Sequence, residues 1–100
     1  MIYWHTSTQC LRAVHDAGLL VFDLKPGSFV WDAAAQRVLM VDLNSCIEAP
    51  QGRSIGMTWQ FAAPELLVEP RVGDARSDVY SLGLVFMNLA VRWSFSLPVV

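Results

Sequence analysis

Two short stretches of this hundred-residue chain hold the residue types that could do chemistry. Leu19-Leu20-Val21-Phe22-Asp23-Leu24-Lys25-Pro26 carries an apolar run into a carboxylate, a lysine and a turn closed by proline. Arg37-Val38-Leu39-Met40-Val41 carries a second run into Asp42 and Leu43, nineteen positions after Asp23. Acids at the ends of two strand-like segments can share one site, where one handles a proton and the other holds a metal. The rest of the chain reads as scaffold for that pair or as a platform beside it.

The elements that must position the pair follow from periodicity. Tyr3, Cys10, Ala13, Val14 and Ala17 recur at helical spacing, so a helix is expected from about Tyr3 to Ala17, with Gly18 as its stop. Leu19 to Phe22 is strand-like, and Pro26-Gly27 marks a turn. Ser28-Phe29-Val30-Trp31 and Arg37 to Val41 have strand composition, with Asp32 to Gln36 as the loop of a hairpin. From Asp42 to about Ala62 periodicity vanishes, and an aperiodic stretch that long inside a compact domain is usually functional. Ala63 to Val68 opens as a short helix with Pro64 in its first turn, ended by Pro70 and Gly73. The last element runs from about Ser77 to Val91. Val79, Leu82, Phe86, Leu89 and Ala90 form its stripe, but Leu84, Val85 and Met87 fill the opposite side, a circumference normally buried all round that a hundred residues alone cannot shield. The fold class expected is mainly α with a short β-hairpin. No repeat or low-complexity segment interrupts it.

Composition narrows the function. The chain is 54% hydrophobic and only 16% charged, with four Trp and five Phe, more apolar than a small autonomous domain can hide. Part of a larger parent is the expected explanation. A net charge of −2 with scattered Lys and Arg gives no footprint for nucleic acid and no basic membrane-binding face. The longest apolar run, Leu82 to Val91 broken by Asn88, is too short to span a bilayer. Cys10 and Cys46 lack metal-ligand spacing, and no signal peptide precedes them, so reduced thiols in an intracellular, cytoplasmic protein are expected. Cys46 reads as an idle cysteine before a reactive one. His15 reads as a helix-end residue near terminal carbonyls. The tryptophans read as core before ligand platforms.

Five groups of residues then fall into a familiar order: His15-Asp16-Ala17-Gly18, Asp23-Leu24-Lys25-Pro26, Val41-Asp42-Leu43, Thr58 ahead of Ala63-Pro64-Glu65, and Ser77 to Gly83. Together they resemble the C-terminal lobe of a eukaryotic-type protein kinase, over roughly residues 5 to 90. The resemblance implies a partial kinase-like lobe made of a long helix, catalytic loop, β-hairpin, activation segment and buried central helix. It implies ATP-dependent phosphoryl transfer to Ser or Thr of a protein substrate, with ATP and Mg²⁺ as cofactors. Asp23 falls where the family keeps the aspartate that accepts the substrate hydroxyl's proton, and Lys25 where Ser/Thr kinases keep a lysine near the γ-phosphate. Asp42 matches the metal-binding aspartate that opens the activation segment. Thr58, Ala63, Pro64 and Glu65 match the segment that docks the substrate. Asp78 matches the buried aspartate that fastens the catalytic loop's backbone.

Departures from the family pattern are equally specific. The family's His-Arg before the catalytic aspartate is Val21-Phe22, which removes the partner of a phosphorylated activation loop. The second metal position, normally Asn, is Ser28, which reads first as a turn-to-strand residue and only weakly as a metal ligand. Asn44 replaces a glycine, the mildest change where positive φ is needed. No Gly-rich phosphate loop, strand lysine or helix glutamate occurs, and Glu65 is expected to lack its arginine partner. Residues 1–100 therefore read as a partial kinase domain, with the N-lobe and the last helices outside it, inactive alone. A pseudokinase acting as a protein-interaction module and a truncated product without function remain alternatives.

Overall fold

A computed structural model describes residues 2–96, and the side chains of residues 5–91. The expected face residue Tyr3, Trp4, Trp93 and the tail beyond 96 lie outside these descriptions. Helix α1 spans Ile2–Asp16. It stops where Gly18 takes φ 82° and its N–H reaches back to the His15 carbonyl at 2.9 Å, a left-handed cap that favours glycine. The buried face of α1 carries Ser7 and Leu11, flanked by half-buried Cys10 and Val14, while Ala13 and Ala17 are exposed. The expected face was thus rotated toward the polar Ser7, which hydrophobic periodicity does not count.

Strand β1 (Leu19–Leu20) leads to the functional loop, and a 3₁₀ turn at Pro26–Ser28 opens β2 (Phe29–Asp32). Its antiparallel partner β3 (Arg37–Met40) completes the expected hairpin in the register Phe29↔Met40 to Asp32↔Arg37. The turn is built by Asp32, whose Oδ1 accepts the Ala35 N–H at 3.2 Å, and by Gln36 at φ 54°. Helix α1 lies along β3. There the Thr6 hydroxyl accepts the Val38 N–H at 3.0 Å and the Cys10 thiol donates to the Val38 carbonyl at 3.2 Å.

The segment after Asp42 is more regular than its sequence. It contains β4 (Ile47–Glu48), paired antiparallel with β1, and β5 (Gln51–Arg53), paired antiparallel with β6 (Val72–Asp74). Among the described residues the sheets are therefore three two-stranded pairs. The expected mainly α chain with one hairpin therefore understates the strand content. Strands of two or three residues are too short for a period-two pattern to register. The expected helix at Ala63 is a single 3₁₀ turn, Pro64–Leu66. One turn rarely propagates without continuing contacts, and Pro70 disfavours helical backbone at Glu69.

Helix α2 spans Ala75–Ser96 and starts on a reciprocal cap. Asp74 Oδ1 accepts the Arg76 N–H at 2.9 Å, and Ser77 Oγ accepts the Asp74 N–H at 3.2 Å. Leu82 and Val85 are buried against Leu11, Val21, Leu24, Phe29 and Val38 in the main core. Val79 at 60% and Met87 at 65% face outward. The apolar circumference is thus left partly uncovered, as expected of a hundred residues alone. The other elements pack on one side of α2 only. A second, smaller core joins Leu20, Phe22, Ala62 and Leu66, with Met57 and Ile47 at its edge.

Candidate active site

The site is built on the loop from Val21 to Ser28, and three devices fix that loop. The first is Asp78, which α2 delivers fully buried, at 0% exposure, beneath the loop. Its Oδ2 accepts the Val21 N–H and its Oδ1 the Phe22 N–H, both at 2.8 Å. His15 Nε2 lies 2.8 Å from the same Oδ2. A buried carboxylate is tolerable only when its oxygens are satisfied, and here two backbone donors and an imidazole do so. His15 is thus not a cap on its own helix, as expected, but a strut between α1 and α2.

The second device is backbone conformation. Phe22 takes φ 63°, a left-handed setting that costs a bulky residue roughly 1–3 kcal/mol and persists only when surroundings impose it. The third is Ser28, 1% exposed. Its hydroxyl accepts the Lys25 N–H at 3.2 Å and donates to the Asp23 carbonyl at 3.4 Å. Its carbonyl accepts the Val41 N–H at 2.7 Å, which brings the end of β3, and with it Asp42, beside the loop. The hydroxyl of Ser28 is spent inside the loop.

On this frame the side chains converge. Asp23 Oδ1 accepts the Thr58 hydroxyl at 2.9 Å, and Asp23 Oδ2 lies 3.3 Å from Lys25 Nζ. The same ammonium lies 3.8 Å from Asp42 Oδ2. Asp42 sits at φ 61°, which a short polar residue tolerates, and its Oδ1 accepts the Asn44 amide at 3.1 Å. One lysine therefore bridges two acids nineteen positions apart in sequence, and a hydroxyl from a third segment holds the first acid in orientation. Two carboxylates against one ammonium leave a net negative charge that favours a cation.

The donor set limits which cation. Among the described residues no group of three or more His, Cys, Asp or Glu could hold a metal by itself. Asp42 offers hard oxygens that suit Mg²⁺, which is ordinarily held by one or two carboxylates together with phosphate oxygens and water. The fit is to a metal delivered with phosphates.

Beyond Thr58, a 3₁₀ turn at Trp59–Phe61 leads to buried Ala63 and to Pro64 at the start of the next turn. Glu65 is not unpartnered as expected. Ser77, in the first turn of α2, donates its hydroxyl to Glu65 Oε2 at 2.7 Å. Gly73 makes this possible, because a Cβ there would collide with the Ser77 hydroxyl. Ser77, Asp74 and the His15–Asp78 pair were missed from sequence. The Asp74–Ser77 spacing carries a capping signal, whereas His15 and Asp78 lie sixty-three positions apart and carry none. Burial, and then the nearby Asp78 carboxylate, push the Cys46 thiol above its ordinary value, which suits an idle cysteine.

A loop held from beneath by a buried aspartate thus carries an acid–lysine pair, with a second acid opposite. The family described as "Protein kinase domain" matches residues 2–96, and the chain belongs to that family. A probable serine/threonine-protein kinase mps1 of Dictyostelium discoideum is 24% identical over 102 residues, covering 89% of this chain and 10% of its own length. The chain spans about a tenth of that curated relative. No helix among the described residues is long and apolar enough to cross a membrane.

Proposed function

We propose that the chain carries the substrate-facing half of a protein serine/threonine kinase site, working on ATP and Mg²⁺. The supporting observation is the bridging of Asp23 and Asp42 by Lys25, with Thr58 bonded to Asp23. In this reading Asp23 orients the substrate hydroxyl and takes up its proton, while the Thr58 hydroxyl keeps the carboxylate turned to the substrate. Lys25 shifts toward the transferring group and offsets its charge. Asp42 is the residue that would hold Mg²⁺, which would supply positive charge against the phosphate. The segment from Thr58 to Glu65 supplies the docking platform. The sequence has no Gly-rich phosphate loop, so the hundred residues alone transfer no phosphate.

One observation favours a second reading, a pseudokinase that serves as a protein-binding module. The Ser28 hydroxyl, at the second metal position of the family pattern, is committed to Lys25 and Asp23 backbone. The two readings separate when the chain is fused to a kinase N-lobe and Mg²⁺-dependent ATP binding and transfer to a protein substrate are measured. Binding with transfer supports the enzyme; binding without transfer supports the module.

A further inference from the structure

Asp42 stands on an arch that packing does little to hold. Every residue from Val41 to Asn44 is exposed, and segments with few buried contacts open easily unless other bonds tie them down. Bonds inside the arch run from the Asn44 amide to Asp42 Oδ1 at 3.1 Å and from the Cys46 N–H to the Leu43 carbonyl at 3.2 Å. They shape it without anchoring it. Among the described residues, one hydrogen bond anchors each foot. Before Asp42, the Val41 N–H donates to the Ser28 carbonyl at 2.7 Å. After it, the Ser45 hydroxyl donates to the Val21 carbonyl at 3.0 Å. Val21 and Ser28 are the two ends of the loop that carries Asp23 and Lys25. Val21 is fully buried, and its N–H is held by Asp78 at 2.8 Å, so the second foot stands on a fixed residue.

We propose that Ser45 is a positioning residue for Asp42, whose hydroxyl closes the arch onto the loop and so sets where the Asp42 carboxylate stands. The first foot uses main-chain groups on both sides, which almost any residue supplies. The second depends on a side chain, and among small residues only serine and threonine offer a hydroxyl donor of that reach. Without it the arch is tied at Val41 alone. Asp42 then swings about that foot, and its carboxylate leaves its place 3.8 Å from Lys25 Nζ. A carboxylate that wanders is a poorer holder of a cation, because the cation's ligands must first be brought together.

This role rests on Asp42 being the metal holder proposed above, and two readouts let either idea fail alone. The first is amide exchange on the full chain for wild type, Ser45→Ala and Ser45→Thr. The reporter is the Cys46 N–H, bonded to the Leu43 carbonyl, and the β2–β3 hairpin is the internal reference. Loss of one neutral hydrogen bond should speed the reporter about fivefold in Ser45→Ala, with the hairpin unchanged and Ser45→Thr close to wild type. The second readout is the Mg²⁺ concentration for half-maximal ATP binding by the N-lobe fusion. Ser45→Ala should raise it about fivefold and Ser45→Thr should restore it. An unchanged reporter, equal acceleration in the hairpin, or a threonine variant that behaves as alanine would overturn the proposal. So would a Mg²⁺ requirement that Asp42→Ala raises and Ser45→Ala does not. If Asp42→Ala leaves that requirement unmoved, the metal reading of Asp42 fails, and the exchange readout alone decides whether Ser45 holds the arch.

Discussion

Asp78 Oδ1 and the backbone N–H of Phe22 meet at 2.8 Å across 56 positions of sequence, and this contact fixes the residue next to Asp23. With the Val21 N–H and His15 on the other oxygen, it makes Asp78 the joint between α1, α2 and the loop from Val21 to Ser28. Replacing Asp78 by Asn keeps the shape but turns an amide donor toward a backbone donor or toward the imidazole. Breaking one partner of a buried charged network costs about 3–5 kcal/mol, a large part of the stability of a small domain. Asp78→Asn is expected to lower the unfolding free energy, read from denaturant titration, by that amount or prevent folding. A variant with wild-type unfolding would remove Asp78 from this role.

Thr58 makes a sharper distinction, because its hydroxyl is tied to Asp23 while its methyl is shared by valine. A hydrogen bond to a charged group contributes about 1.5–3 kcal/mol, so Thr58→Val is expected to lower kcat by roughly 10- to 100-fold in an N-lobe fusion. The unfolding free energy should fall by no more than about 3 kcal/mol. A fall in stability with kcat intact would make Thr58 a structural residue.

The cap on α2 should show in acid. The Arg76 side chain and N–H hold the Asp74 carboxyl below its ordinary value of 3.8. A carboxyl lowered in the folded state adds stability above the unfolded value and loses it as pH falls through the folded one. Asp74→Ala should therefore melt below wild type at neutral pH, and the gap should narrow as pH falls below about 4. Melting curves from neutral pH into strong acid test this. A gap that stays constant into strong acid would assign the effect to helix propensity instead of charge.

Cys46 offers a check on burial. A thiol raised above its ordinary value of 9.0 is mostly protonated at pH 8. Labelling by a thiolate-selective reagent should be slower than for an unfolded-chain cysteine at that pH, and the difference should shrink in strong alkali. Labelling at the unfolded rate would show the site open and Cys46 ionisable.

Much of this site was legible before any fold was known, because Asp23, Lys25, Asp42 and Thr58 are placed by short local patterns. The hairpin was legible too, since β2 and β3 are four residues each with a turn between. What stayed hidden was long-range or short in length. Strands β4 to β6 have two or three residues and borrow their order from distant partners. The His15–Asp78 strut and the Ser77–Glu65 bond join side chains whose neighbours in sequence give no hint of them. Which side of helix α2 would be covered was not legible, because an apolar circumference reports what a helix could bury and not which face the chain packs against.

The central claim is that Asp23 and Asp42 work together through Lys25 in phosphoryl transfer. The most direct measurement is Mg²⁺-dependent transfer from ATP to a protein substrate by the chain fused to a kinase N-lobe, comparing wild type with Asp23→Asn and Asp42→Ala. General-base contributions are about 10²–10⁴-fold, so Asp23→Asn should reduce kcat by at least about 100-fold. Asp42→Ala should abolish the Mg²⁺ dependence along with transfer. Transfer that survives both substitutions at the wild-type rate would contradict the account.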